Sequence, residues 1–238
     1  MSMPARELSL AHLSVLDATP PELVSVAAAA GFRKIGIRAY ATPGVGMPPY
    51  DILGDTPMLR ETLARLADTG VSVLDVEFLR FEPEIAQGIP EGFLEIAARL
   101  GAQYVLVMSA EPVEARTLER FGDLCERARH FGLNVCLEFA IYTGVKTLAD
   151  AARLVKQSGC ANASVLIDAL HFSRSGGVPG DIAGVDASLF ALFYLGCFPA
   201  DDERVIGTMR AIEDGLLNRT DYWGVARYEN DEIGRAHV

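Results

Sequence analysis

The stretch Val165-Leu-Ile-Asp-Ala-Leu-His171 decides how this chain reads. An apolar run ends in an acid, and a histidine follows three residues on. Upstream, Asn134-Val-Cys-Leu-Glu138 repeats the pattern with a glutamate. Each run has the length and apolar character of a short buried strand, and each delivers a carboxylate at its C-terminal end. Two carboxylates with a nearby imidazole form the donor set that a hard or borderline divalent cation takes.

Working outward, the same unit recurs: helix, glycine, short β-rich strand, polar loop. Residues 8–16 read as a first strand. Thr19-Pro-Pro-Glu22 opens a helix, with Thr19 as N-cap and Glu22 closing a capping box. Strands follow at 33–40, 71–77 and 103–108 and at the two acid-bearing runs. Helices fall at 57–69, 90–100, 112–131 and from Thr147 to Gly159. Glycines 31, 70, 101, 132 and 159 mark the helix ends. Alternating β and α units predict a parallel sheet. The absence of GxGxxG after the first strand favours a (β/α) TIM-type barrel over a dinucleotide-binding fold. In such a barrel polar residues at strand C-termini gather on one face, and His12, Arg38, Glu77, Glu138, Asp168 and His171 all fall there.

Composition narrows the partners. The 238 residues carry a net charge of −11, and half are hydrophobic, enough for a substantial core. A pI near 4.8 disfavours nucleic acid and anionic membrane. No apolar run reaches the roughly 20 residues of a spanning helix, and the start Met1-Ser-Met-Pro-Ala-Arg-Glu7 lacks a signal-peptide core. Cys125, Cys136, Cys160 and Cys197 form no C-x-x-C and read as free thiols of a reducing, cytoplasmic setting. Asn218-Arg-Thr220 matches a glycosylation sequon, read as chance without a secretion signal.

Residues 8–183 resemble the xylose isomerase-like TIM barrels, in the sugar phosphate isomerase/epimerase branch with its ketose 3-epimerases and inosose dehydratases. The residues that carry this are Leu8-Ser-Leu-Ala-His12, Asp75-Val-Glu77, Leu137-Glu138-Phe139 and Leu166-Ile-Asp-Ala-Leu-His-Phe-Ser-Arg-Ser-Gly-Gly177. The resemblance implies a divalent metal (Mn, Mg, Co or Zn) held by Glu138 and Asp168. It implies a small sugar or polyol substrate, with His171 contacting it or supporting the metal, and proton transfer through an enediolate, with Glu138 as ligand and base. Catalytic roles thus fall on Glu138 and His171, and substrate binding on His12, Arg38, Glu77 and Arg174. The related AP endonuclease branch fits poorly, because it needs more histidine ligands and less acidity. The family's remaining two ligands come from strands seven and eight, and neither is found.

After about Val185 the pattern changes. Asp186-Ala-Ser-Leu-Phe-Ala-Leu-Phe-Tyr-Leu-Gly-Cys-Phe198 reads as a buried helix or apolar run, and Pro199–Glu213 as an amphipathic helix. Asp186-Ala-Ser-Leu189, Phe198-Pro-Ala-Asp-Asp-Glu-Arg-Val205, Ile212-Glu213 and Ala226-Arg-Tyr-Glu-Asn230 resemble a fragment of the glucoamylase-like glycoside hydrolases. Ile233-Gly-Arg-Ala-His-Val238 resembles a translated sequencing adapter. The expected organisation is an incomplete barrel of six recognisable strands over 1–185, joined to a helical, chimeric tail over 186–238. Such a barrel leaves strands one and six as exposed edges, a route to self-association. A truncated barrel that binds metal or sugar weakly and does no chemistry is the alternative reading.

Each site residue also has a structural reading. Asp168 can start a helix, with His171 hydrogen-bonded in place. Glu138 can pair with Arg38 or Arg174, and His12 can hydrogen-bond inside the barrel. Phe78, Phe81 and Phe139 serve either a sugar pocket or the core.

Overall fold

The computed structural model describes residues 8–40, 50–83, 89–178 and 181–182, together with the backbone of 190–192, 217–218 and 224–225. Seven strands form one parallel sheet in sequence order: β1 (Ser9–Ala11), β2 (Lys34–Arg38), β3 (Ser72–Phe81), β4 (Tyr104–Ser109), β5 (Asn134–Glu138), β6 (Ala163–Leu166) and β7 (Phe190–Leu192). Helices α1 (Pro20–Ala29), α2 (Pro57–Thr69), α3 (Phe93–Arg99), α4 (Glu114–Arg129), α5 (Leu148–Ser158) and α6 (Ala169–Arg174) follow β1 to β6 in turn. Strand order equal to chain order, with a helix in each crossover, is the layout of a partial TIM barrel.

The helix boundaries follow local chemistry. Glu22 Oε2 accepts the Thr19 backbone N–H at 2.8 Å ahead of α1, so the glutamate supplies its half of the capping box. The Thr19 hydroxyl turns to the same carboxylate. Thr147 Oγ1 accepts the Asp150 N–H at 3.1 Å and starts α5. The five glycines read as helix stops all have φ between 64° and 83°, a left-handed conformation that a side chain would strain.

The core has two layers. Helix α4 buries Thr117, Phe121, Leu124, Cys125 and Ala128, one face at helical spacing, against the outer side of the sheet. Each fully buried large side chain there, Phe121 among them, contributes about 1.5–3 kcal/mol. Inside the sheet a small cluster of Leu106, Cys136 and Leu166 is flanked by Phe78 and Tyr104. Burial pushes the Cys136 thiol up to about 12, so it is an inert filler.

The structure departs from the sequence reading at both ends. β1 is only Ser9–Ala11, and His12–Val15 form a 3₁₀ turn, because the His12 ring is drawn inward to backbone partners. The stretch read as a buried helix or apolar run contains the short strand β7, which pairs in parallel with β6. β1 and β7, not β1 and β6, are therefore the two edges among the described residues. In the tail, β8 (Leu217–Asn218) and β9 (Gly224–Val225) pair antiparallel. The expected helix at 199–213 lies outside the described residues, as do most of the resemblance-bearing tail and the adapter-like end.

Candidate functional site

Strand register places the two acids. Glu138, the last residue of β5, lies opposite Leu166, the last residue of β6. Alternation puts Asp168 on the same face as Leu166, two residues further on. The peptide then turns into α6, and one helical turn brings His171 back over Asp168. The result is that Glu138, Asp168 and His171 each offer a donor atom, all within 4.8 Å of one another. Two carboxylates and an imidazole gathered in this way fit a hard or borderline divalent cation.

Asp168 has two tasks. Its Oδ1 accepts the His171 backbone N–H at 2.9 Å, which makes it the N-cap of α6. His171 is buried, and its Nε2 lies 3.8 Å from Glu138 Oε1. The same Nε2 shares a 3.3 Å hydrogen bond with the hydroxyl of Tyr142, whose ring meets the imidazole edge-on. Tyr142 has no role in the sequence reading. Its one signal there is position, four residues past Glu138 and just before a Thr-Gly turn.

Arg38 and Glu77 face each other on β2 and β3 and form a buried ion pair, Nε to Oε2 at 2.9 Å. Arg38 also covers the Phe78 ring at 5.3 Å. Gly36 makes room for the acids of β3: a Cβ there would lie 2.7 Å from Asp75 Oδ1 and 2.9 Å from Glu77 Oε1. Glu77 is thus a glutamate partner of Arg38.

His12 is fully buried and stacked on Tyr50, ring centroids 5.2 Å apart. Nε2 bonds the Ala18 carbonyl at 2.8 Å, and Nδ1 accepts the Arg38 N–H at 3.1 Å. Both ring nitrogens therefore serve the backbone, and burial holds its pKa below the usual histidine value. Arg174 ends α6 and is half-buried. Phe81 and Phe139 belong to the outer core, while Phe78 lies on the inner side of the sheet.

With fold and site in view, the chain can be set beside known proteins. It has the xylose isomerase-like TIM-barrel fold. A xylose isomerase domain containing protein from Salmonella typhimurium LT2 superposes with a TM-score of 0.65 at 14% identity, over 80% of this chain and 71% of that one. The IOLI protein, solved with a zinc atom, gives 0.60 at 19% identity over 77% and 70%. D-psicose 3-epimerase gives 0.59 at 16% identity over 76% and 70%. A xylose isomerase-like TIM barrel/4-hydroxyphenylpyruvate dioxygenase fusion protein gives 0.61 at 22% identity, where 77% of this chain spans only 30% of that one. In sequence, a trehalase from Thermoplasma acidophilum is 52% identical over 48 residues, 20% of this chain and 8% of that protein. No protein-family model matches. No helix among the described residues is long and apolar enough to cross a membrane.

Proposed function

We propose that the barrel segment is a divalent-metal-dependent isomerase or epimerase of a small sugar or polyol, working by proton transfer through an enediolate. The observation that carries this is the convergence of Glu138 at the end of β5 with Asp168 and His171 at the start of α6. The fold shared with a D-psicose 3-epimerase, a 3-keto-D-glucoside 4-epimerase and the zinc-bound IOLI protein supports it. Glu138 and Asp168 hold the cation, which is Mn, Mg, Co or Zn. When bound, it would stabilise negative charge on neighbouring substrate oxygens and so acidify the adjacent C–H.

The protein's own groups divide the remaining work. Asp168 keeps Oδ1 on the helix cap and would supply carboxylate charge to the cation. Glu138 is placed to move the substrate proton as a carboxylate general base. His171, beside Glu138, contacts a substrate hydroxyl. Arg38 with Glu77, and Arg174 at the end of α6, hold the far side of the substrate. His12 serves that surface indirectly, by tying the Arg38 backbone to the loop before α1.

Proton exchange tests this. Chelator-stripped protein reloaded with Mn²⁺ is incubated with a panel of ketoses in deuterated water, and deuterium at carbon is read by NMR. Exchange is expected, and it disappears on chelation and in Glu138→Gln. A Mn²⁺-loaded protein that exchanges no carbon-bound proton on any ketose rejects the reading.

One observation favours a second reading. Among the described residues the cation group has three members, and β1 and β7 are sheet edges. The tail that reads as foreign from residue 186 supplies β7 to that sheet, and a barrel built only this far would bind metal or sugar weakly without chemistry. Sequencing the source DNA across codons 180–238 decides the join: a continuous natural reading frame removes it.

A further inference from the structure

The turn that follows β5 is held more firmly than a connecting loop requires. The Ala140 N–H donates to the Val145 carbonyl at 3.0 Å, and the Thr143 N–H to the Ala140 carbonyl at 2.9 Å. The Thr143 hydroxyl lies 2.8 Å from the Ala140 carbonyl oxygen and 2.6 Å from that of Val145. The Gly144 N–H donates to the Ser109 carbonyl at 2.6 Å, which pins the turn to the end of β4. A Cβ at Gly144 would run into the Glu111 carbonyl oxygen, so this close approach admits only glycine. At the tip stands Tyr142, 53% exposed, with its hydroxyl on His171 Nε2.

Tyr142 and Glu138 approach that nitrogen to different distances. The phenol oxygen is 3.3 Å away, within hydrogen-bond distance, and Glu138 Oε1 is 3.8 Å away, outside it. An imidazole deprived of the phenol needs only a small rotation to bond the carboxylate instead. We propose that Tyr142 is a positioning residue: the pinned turn holds its hydroxyl against His171 Nε2 and so keeps the imidazole from closing onto Glu138. The inference rests on the cation reading above, in which Glu138 is a ligand. Groups that orient the side chains around a metal typically change its affinity 10–100-fold when removed.

The test is Tyr142→Phe, which deletes one oxygen from a half-exposed side chain and leaves the core alone. Two quantities are read: the side-chain ¹⁵N resonances of His171 in metal-free protein, and Mn²⁺ affinity by calorimetry. A shifted Nε2 resonance together with about tenfold or greater weakening of Mn²⁺ binding is expected. An unchanged Nε2 resonance overturns the proposal, as does unchanged Mn²⁺ affinity. If wild-type protein binds no Mn²⁺, the cation reading fails by itself. The resonance then decides Tyr142 alone: a shift upholds its hold on His171, and no shift ends it.

Discussion

Asp168 Oδ1 accepts the backbone N–H of His171 at 2.9 Å, so the acid at the mouth of the sheet is also the residue that starts helix α6. In the proposed reading a cap and a ligand share one side chain, and the two roles depend on different properties. Capping needs an oxygen acceptor, while cation binding needs the negative charge.

Substitutions separate the two. Asn is about as good an N-cap as Asp, whereas Ala costs about 0.5–2 kcal/mol. Asp168→Asn is therefore expected to melt close to wild type and to lose Mn²⁺ binding. Asp168→Ala is expected to lose both. Thermal unfolding and calorimetry on the two variants check this. Equal melting of Ala and Asn variants would remove the capping role.

The Arg38–Glu77 pair is buried on both sides, with the two side chains 6% and 10% exposed. Breaking a buried pair by removing one partner costs about 3–5 kcal/mol. Arg38→Met and Glu77→Leu are each expected to fall in that range by urea unfolding. The double variant is expected to lose less than the sum, because the two charges leave together. Additive losses would mean that the two side chains do not depend on each other.

His12 makes a pH prediction. Burial is the main cause that lowers its pKa from 6.5 in the folded protein, and its Nδ1 must stay unprotonated to accept the Arg38 N–H. As pH drops below about 6.5, unfolded chains take up a proton at this position that the folded protein resists. The unfolded state then binds more protons, so stability falls as pH falls from 6.5 toward the folded value. Urea unfolding at pH 7 and pH 5 is expected to show this loss in wild type and a smaller one in His12→Gln. The same slope in both proteins would assign the effect elsewhere.

Much of this architecture is local, and local signals are what a sequence displays. Apolar runs four to six residues long, glycine stops and capping residues such as Thr19 and Thr147 reveal the βα order. They also place Glu138 and Asp168 at strand ends. The rest depends on contacts between distant residues. The shortness of β1 follows from the His12 ring reaching Ala18 and Arg38, which no pattern in residues 8–16 records. β7 lies in an apolar run that periodicity alone cannot divide between strand and helix. The pairing of Arg38 with Glu77 follows from the register of β2 on β3, not from spacing. Tyr142 meets His171 only because Gly144 pins its turn to β4.

The central claim is that Glu138 and Asp168 share one divalent ion. Calorimetric titration of chelator-stripped protein with Mn²⁺ tests it directly, alongside Glu138→Gln and Asp168→Asn. One ion bound per chain in the wild type, and none in either variant, is the predicted result. No binding in the wild type, or undiminished binding in both variants, would contradict it.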